Sequence, residues 1–335
     1  MIQNETMLAI VEASEHRRAE RRRFLKVAGG GAAAVGGLSL LAACGDDDGG
    51  FNPTPTPSPT PTPTPTSSSA QQDINVLNFA LNLEYLEATF YSYAAFGSPL
   101  SPALTSGIGN VGTVTGGRKV NFSDPIVAKY AREIAGDEVA HVNFLRSALG
   151  SAAIALPDLN IDGGSTGAFT AAARAAGLVS SSGTFDPYAD DQSFLLGAFI
   201  FEDVGVTAYK GGSTLISNKT YLEAAAGILA AEAYHAGLVR TLLYAKGMTT
   251  RSATDSISNA RDSLDGTTDL DQGTTGPDSS QSNIVPTDSN GIAFSRTVAQ
   301  VHNIAYLTNK QASSGGFFPT GTRNANPALT QSGAN

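Results

Sequence analysis

The residue pair Glu138 and His141 most constrains what this chain can fold into, because both interrupt the apolar stripe of a predicted helix. Over residues 127–149, steps of four and three residues give Val127, Ala131, Ile134, Glu138, His141, Leu145 and Ala148. This spacing is typical of the buried face of an amphipathic helix, so both polar side chains are predicted to point inward. A buried carboxylate needs a partner that replaces its lost hydration, and Glu-x-x-His on one helix face can bind a metal ion.

The same motif occurs a second time, at Glu232 and His235. There the stepping gives Tyr221, Ala225, Ile228, Glu232, His235, Val239 and Leu242. Two further predicted helices each place a single glutamate in an apolar stripe, and Glu202 is the one in the third helix. Four-helix bundles hold a dimetal centre with one Glu from each of two helices and Glu-x-x-His from each of two others. The sequence therefore predicts an all-α bundle with such a centre.

The first helix, predicted over about Gln72–Phe96, offers two glutamates. One stripe consists of Leu77, Leu81, Glu84, Ala88 and Tyr91. An equally apolar stripe consists of Ala80, Leu83, Glu87, Phe90 and Ala94. Periodicity alone therefore leaves open which glutamate is the ligand.

The order of these motifs, Glu, Glu-x-x-His, Glu, Glu-x-x-His, resembles the ferritin-like superfamily. A narrower resemblance is to bacterial ferritin-like domain proteins related to plant desiccation-associated proteins. It rests on VLNFALNLEYLEATFY, EIAGDEVAHVNFLR, FIFEDVGVTAYKG, AAEAYHAGLVRTLLY, AFSRTVAQVHNIAYL and GGFFPTG, and spans roughly residues 73–322. The resemblance implies a ferritin-like four-helix bundle with a long crossover between its second and third helices.

The resemblance also implies roles for individual residues. The spacing from Glu84 to Tyr91 is similar to that in the first ferritin helix, which favours Glu84 as the ligand and makes Tyr91 a candidate catalytic residue. The alternative for Tyr91 is a plain core position. Glu87 then becomes a neighbour of the ligands or a surface residue. Asp137 resembles the aspartate of bacterioferritin-type helices and would accept a hydrogen bond from His235; its alternative is a solvated helix charge.

Residues 1–44 are predicted to be an export signal outside the fold. Arg21 and Arg22 begin the string RRRFLK, which matches the twin-arginine consensus, and a weakly apolar run follows. The run ends in Leu-Ala-Ala-Cys, which resembles a lipobox, so Cys44 would carry a lipid anchor in the bacterial cell envelope. The twin-arginine route is associated with folded cargo, which would let a metal site assemble before export.

The remaining chain divides by composition. Residues 45–70, rich in Thr-Pro, predict a semi-rigid linker; residues 71–248 hold the four predicted helices; and residues 249–335 predict a loop-rich extension that packs on the bundle. The second helix begins after Ser-Asp-Pro at 123–125, and the third and fourth span about Asp191–Lys210 and Tyr221–Lys246. The crossover, residues 150–190, contains a short Ala-rich helix near Ala168–Ala176.

Composition restricts the partners. The formal net charge of -9 argues against nucleic acid, and Cys44 is the single cysteine, so the domain has no disulfide. The expected partners are the membrane, through the lipid anchor, and a small-molecule oxidant or Fe(II). Further copies of the chain are an open option. His302 has no ligand partner in sequence, which favours a structural or exposed role.

The predicted cofactor is a pair of divalent metal ions, because four core carboxylates would otherwise repel one another. The predicted ligands are Glu84, Glu138, His141, Glu202, Glu232 and His235. Their oxygen and nitrogen atoms suit iron or manganese, and zinc also fits the ligand types.

Two functions are consistent with this centre. The first is a di-iron or di-manganese oxidoreductase, catalase-, peroxidase- or ferroxidase-like, acting on peroxide or ferrous iron. With Cys44 as its single cysteine the chain cannot form a rubredoxin-like centre as electron donor, and neither peroxide disproportionation nor iron oxidation needs one. The alternative is a non-enzymatic stress- or desiccation-related surface protein that metals only stabilise.

Overall fold

Four long helices build the core of the protein. The computed structural model describes residues 67–335. Its helices are α1 (Ser67–Phe96), α2 (Pro102–Thr105), α3 (Pro125–Leu149), α4 (Ala168–Ala175), α5 (Asp191–Ser213), α6 (Lys219–Ala245), α7 (Met248–Asp265) and α8 (Val298–Ala305). Two three-residue strands, β1 (Val114–Gly116) and β2 (Leu159–Ile161), pair in parallel. Two 3-10 turns lie at Gly150–Ala152 and Pro327–Thr330. The predicted all-α class is confirmed.

The predicted export signal, with Arg21, Arg22 and Cys44, lies outside the described residues, as does most of the predicted linker. α1 begins at Ser67, so residues 67–70, which the sequence analysis assigned to the linker, are helical. The reason is local, since the last proline of the Thr-Pro repeat is Pro65 and the following Ser-Ser-Ser-Ala can adopt helix. Within residues 67–335, no helix combines the length and apolar character needed to cross a bilayer.

The bundle consists of two helix pairs, with α1 packed along α3 and α5 packed along α6. Residues 214–218 connect α5 to α6, and so short a turn makes these helices antiparallel neighbours. Side-chain caps define the helix starts. Asp124 accepts a hydrogen bond from the Ile126 amide with Pro125 in the first turn, and Asn218 accepts from the amides at the start of α6.

The long crossover between α3 and α5 contains the short helix α4, as predicted. β2 of the crossover pairs with β1 in the loop that joins α1 to α3. Phe169 of α4 packs against Phe90 of α1 and Phe201 of α5, with ring centroids 5.2 and 5.4 Å apart. Phe317, near the C-terminus, lies 4.9 Å from Phe201. This aromatic contact joins bundle, crossover and extension in one core.

The helix α7 was not predicted, since the sequence analysis treated residues 249–290 as polar and turn-rich. Its buried face consists of Thr250, Thr254, Ile257, Ser258, Arg261 and Asp265. These positions recur at helical spacing, but only Ile257 is apolar. A search for apolar periodicity therefore fails on a helix whose buried face is polar.

Buried ion pairs attach the extension to the bundle. Asp203 of α5 accepts hydrogen bonds from Arg240 of α6 at 2.8 Å and from Arg261 of α7 at 3.1 Å. Arg261 also donates to Asp271 at 2.8 Å. All four side chains are buried. Since water cannot replace a missing partner there, each charge depends on the others.

Arg296 extends this network from the segment just before α8. Its Nε donates to Asp265 at 2.6 Å, its Nη1 donates to Thr207 of α5 at 2.9 Å, and its Nη2 pairs with Asp271. Arg296 is 1% exposed. The network thus links residues nearly a hundred positions apart in the chain.

His302 of α8 has a structural role. Its Nδ1 lies 2.9 Å from the Val298 carbonyl oxygen, and its Nε2 lies 2.8 Å from the Thr322 hydroxyl. Burial lowers the pKa of His302 to about 4, so the ring is neutral at physiological pH. It belongs to neither group of metal-ligating side chains found within residues 67–335.

The Arg296 network makes a stability prediction. Arg296→Leu should lower the free energy of unfolding by about 3–5 kcal/mol, because it leaves the buried carboxylate of Asp265 without its arginine and that of Asp271 with Arg261 alone. The control Arg118→Leu breaks an exposed pair with Asp186 and should cost less than about 1 kcal/mol. Urea unfolding measures both values, and equal losses would contradict the importance of burial.

Candidate metal centre

The structure brings together six side chains from α1, α3, α5 and α6 in the bundle interior. They form two groups that share Glu138: Glu84, Glu138, His141 and Glu232 in one, and Glu138, Glu202 and His235 in the other. Within each group, one ligand atom from each residue lies within 4.8 Å of the others. The His141 side chain is 12% exposed, and the other five are 3% exposed or less.

Both histidines present Nδ1 to the carboxylates. His141 Nδ1 lies 3.2 Å from Glu84 Oε2 and 3.5 Å from Glu138 Oε2. His235 Nδ1 lies 3.0 Å from Glu138 Oε1 and 3.6 Å from Glu202 Oε2. Glu138 therefore directs one oxygen toward each histidine, and the two ring centroids are 6.2 Å apart. This is the arrangement that a carboxylate shared by two metal ions requires.

The inward-facing atoms of this cluster have no hydrogen-bond partners within the described part of the chain. They are Glu84 Oε2, Glu138 Oε1 and Oε2, His141 Nδ1, Glu202 Oε2, Glu232 Oε1 and Oε2, and His235 Nδ1. Buried polar atoms in proteins are almost always satisfied, so eight orphaned atoms at one place need an explanation. Divalent cations bind both carboxylate oxygens and imidazole nitrogens, and thus the residues fit a pair of metal ions.

The pKa values of the cluster residues also indicate a metal site. Burial and the nearby Glu138 raise the pKa of Glu84 to about 7, and burial raises that of Glu202 to about 8. Burial alone would lower the pKa values of His141 and His235, but the surrounding carboxylates raise them to about 11 and about 10. Burial disfavours ionised Glu138, yet its contacts with both histidines hold its pKa below the usual range. Without bound metal ions the cluster would therefore hold protons, and binding ions would displace them.

Two tyrosines hold the outer oxygens of the single glutamates. The Tyr91 hydroxyl donates to Glu202 Oε1, and the Tyr209 hydroxyl donates to Glu84 Oε1. Each carboxylate thus has one oxygen fixed by a phenol and one directed to the cluster. Tyr91 was predicted as a candidate catalytic residue, and Tyr209 was not predicted. The signal was available, because Glu202 and Tyr209 repeat the spacing of Glu84 and Tyr91.

The two Glu-x-x-His motifs differ in the residue next to Nε2, the histidine nitrogen that does not face the cluster. Asp137 Oδ2 is 3.3 Å from His235 Nε2, on the ring side opposite the cluster, where it can fix the tautomer of that ring. In the second motif Ala231 stands where the first motif has Asp137, and the His141 side chain is the most exposed of the six. The half of the centre around His141 is therefore closer to solvent.

Glu87 is buried, at 5% exposure, so it is not a surface residue. It belongs to neither ligand group within residues 67–335. Burial and the carboxylates of Glu138 and Glu202 raise its pKa well above the usual range. Glu87 is thus a buried carboxyl group beside the cluster.

Comparisons with known proteins agree with this architecture. The family described as Ferritin-like domain matches residues 72–245. The desiccation-related protein PCC13-62 of Craterostigma plantagineum is 30% identical over 276 residues, covering 77% of this chain and 85% of the relative. The ferritin-like catalase Nec2 of Nesocodon mauritianus is 27% identical over 268 residues, covering 75% and 83%. No solved structure matches the chain.

The sharing of Glu138 predicts unequal effects on metal content. Glu138→Ala should abolish binding of both ions, whereas Glu202→Ala should spare the group around Glu84 and leave about one ion per chain. Glu223→Ala, on the exposed face of α6, is the control and should retain both ions. Elemental analysis of the purified variants gives the stoichiometry. Equal losses from Glu138→Ala and Glu202→Ala would argue against a shared ligand.

The pKa shifts predict how pH affects the metal-free protein. The folded-state pKa values of Glu84, Glu202, His141 and His235 lie above their unfolded values, so the stability they contribute is present at low pH and is lost as pH rises. Between pH 5 and 9 the melting temperature of metal-free protein should fall by about 5–10 °C.

The melting temperature of the metal-loaded protein should fall less between pH 5 and 9, because the ions take the place of the protons. Differential scanning calorimetry on the chelated and loaded forms tests this. A metal-free protein that becomes more stable from pH 5 to pH 9 would contradict the assigned shifts.

Proposed function

We propose that this chain, which belongs to the ferritin-like domain family, is a dimetal-carboxylate oxidoreductase that acts on hydrogen peroxide or ferrous iron. The observation that carries the proposal is the set of eight unpartnered buried atoms at the meeting point of α1, α3, α5 and α6. Bound metal ions would give all of these atoms a partner at once. The name of one relative, ferritin-like catalase, supports peroxide as the substrate.

A bound pair of iron or manganese ions would supply two exchangeable electrons. In peroxide disproportionation, one H₂O₂ loses two electrons and two protons to become O₂, and a second H₂O₂ accepts them to become two waters. Ferrous iron as substrate gives the balance 2 Fe(II) + H₂O₂ + 2 H⁺ → 2 Fe(III) + 2 H₂O. Neither reaction needs an outside electron donor.

The residues of the chain contribute positioning, charge and a dry environment. Glu138 contacts both histidines and belongs to both ligand groups, so it would hold the ions close together, and Glu232 would add a ligand on the His141 side. Tyr91 and Tyr209 fix the outer oxygens of the remaining glutamates, which keeps those ligands oriented. Asp137 contacts His235 Nε2 and would thereby orient the imidazole ring. The apolar packing around the cluster excludes water and strengthens each of these interactions.

The proposal places the protein at the bacterial cell envelope. Its support is the sequence of the leader, with the twin-arginine pair Arg21 and Arg22 and the lipobox-like cysteine Cys44. A lipid on Cys44 would tether the bundle to a membrane through the Thr-Pro segment.

A second candidate function has one specific observation in its favour. The relative with 30% identity is named a desiccation-related protein. In this role the metals would only stabilise the bundle, and the protein would act at the envelope without turnover. The two candidates share the metal centre and differ in redox activity.

The test is consumption of peroxide, and separately oxidation of Fe(II), by protein loaded with iron or with manganese. Glu138→Ala should reduce either rate by more than roughly 100-fold, because both groups of ligands lose a member. Glu223→Ala should retain the wild-type rate. A loaded wild-type protein without turnover, whose melting temperature nonetheless falls on chelation, would refute the oxidoreductase and favour the stabilising role.

A further inference from the structure

A second feature of the bundle lies beside the metal centre, between α1, α5 and α8. It is a small pocket with a cavity volume of about 30 Å³. Val301, Ile304 and Ala305 of α8, together with Phe317, form its wall on the side of the extension. Helices α1 and α5 form the opposite wall. The pocket therefore exists because the extension covers this face of the bundle.

Among the described residues that line this pocket, Glu87 is the only one with a polar side chain. The residue is 95% buried. A buried carboxyl group normally has a hydrogen-bond partner, and the pocket beside Glu87 offers space for one. A carboxyl group in an apolar pocket is suited to hold a small molecule that can donate and accept hydrogen bonds.

Gly205 of α5 connects this pocket to the metal centre. It lines the pocket, and a Cβ atom placed on it would lie 3.4 Å from Glu87 Oε1 and 2.3 Å from Glu232 Oε2. Any side chain at 205 would therefore collide with the Glu232 carboxylate. Because the residue is glycine, the carboxyl groups of Glu87 and Glu232 flank the same small space. The inner end of the pocket thus reaches a metal-ligating carboxylate.

We infer that this pocket is the access route by which a small, neutral, hydrogen-bonding molecule such as hydrogen peroxide reaches the metal centre, with Glu87 as a positioning residue at its inner end. The inference rests on the proposed function, because it assigns the substrate class of that same centre. The apolar walls and the surrounding carboxylates disfavour anions. The size of the space and its one carboxyl group favour a neutral molecule of a few atoms.

A second pocket supplies a matched control. It has a cavity volume of about 20 Å³, lies between α1, α3, α5 and α6, and reaches Tyr209. None of the described residues that line it is charged. Ala305 lines the access pocket and Ala208 lines the control pocket, and both residues are buried. Leucine at either position adds the same volume. The two variants thus differ in which space they fill.

The first experiment follows nitric oxide binding to Fe(II)-loaded protein by stopped-flow absorption. Ala305→Leu should slow binding severalfold, and Ala208→Leu should leave the rate within about twofold of wild type. Val301→Phe is a second filling variant if Ala305→Leu does not fold, and iron content is measured for each. Equal rates in all variants, or slowing by Ala208→Leu alone, would overturn the route and favour access beside the partly exposed His141.

The second experiment separates the effect of the Glu87 carboxyl group from the effect of filling the pocket. Nitric oxide does not depend on a hydrogen bond to a carboxyl group, so Glu87→Leu should leave its binding rate nearly unchanged. The kcat/KM for hydrogen peroxide should fall about tenfold, and Glu87→Gln should restore most of it, because an amide also donates and accepts. Equal effects of leucine and glutamine on kcat/KM, or no effect of either, would overturn the positioning role.

The two proposals fail in different ways. If Ala305→Leu slows nitric oxide binding but the wild type neither consumes peroxide nor oxidises Fe(II), the route is supported and the oxidoreductase is refuted. If the wild type turns over peroxide and the nitric oxide rates are unchanged in every variant, the route is refuted and the oxidoreductase stands. A wild-type protein that binds neither iron nor manganese would overturn both proposals.

Discussion

The structure depends on cancelling the charge of carboxylates that four helices direct into one dry interior. Glu84, Glu138, Glu202 and Glu232 are all at most 1% exposed, and their oxygens face one another around two imidazoles. Protons cancel part of that charge in the empty cluster, which explains the raised pKa values of Glu84 and Glu202. Two divalent ions would cancel it completely. Folding and chemistry therefore depend on the same ions, since the metal ions that would stabilise the bundle would also carry out the reaction.

Much of the fold and of the cluster could be predicted because the ligands occupy positions where a helix should be apolar. Glu138 and His141 interrupt an aliphatic stripe, and a second stripe is interrupted in the same way. Periodicity could not choose between Glu84 and Glu87, because both lie in apolar stripes and both are buried. Only the three-dimensional structure shows that Glu84 reaches His141 while Glu87 faces another space.

The helix α7 and its ion pairs could not be predicted from the sequence, for one physical reason. The buried face of α7 is polar, and its arginine and aspartate side chains are satisfied by partners far away in the chain. No local pattern indicates which charge meets which, since Asp203, Arg261 and Asp271 belong to three different segments. Tyr209 is different, because its spacing from Glu202 repeated a pattern that had already been identified once. A search for internal symmetry would have found it.

The ion network next to the metal centre has a consequence for how this protein can diverge. Asp203 follows the cluster residue Glu202 directly, and among the described residues it pairs with Arg240 of the bundle and with Arg261 of the extension. A descendant that lost the extension would keep the Asp203–Arg240 pair but would expose it to water, one residue from the centre. The guanidinium of Arg240 would also lose the backbone carbonyls of Gln272, Gly273 and Asn283. Shortening the chain would therefore bring solvent to the residue next to a ligand, so the extension acts as a cover for that side of the bundle.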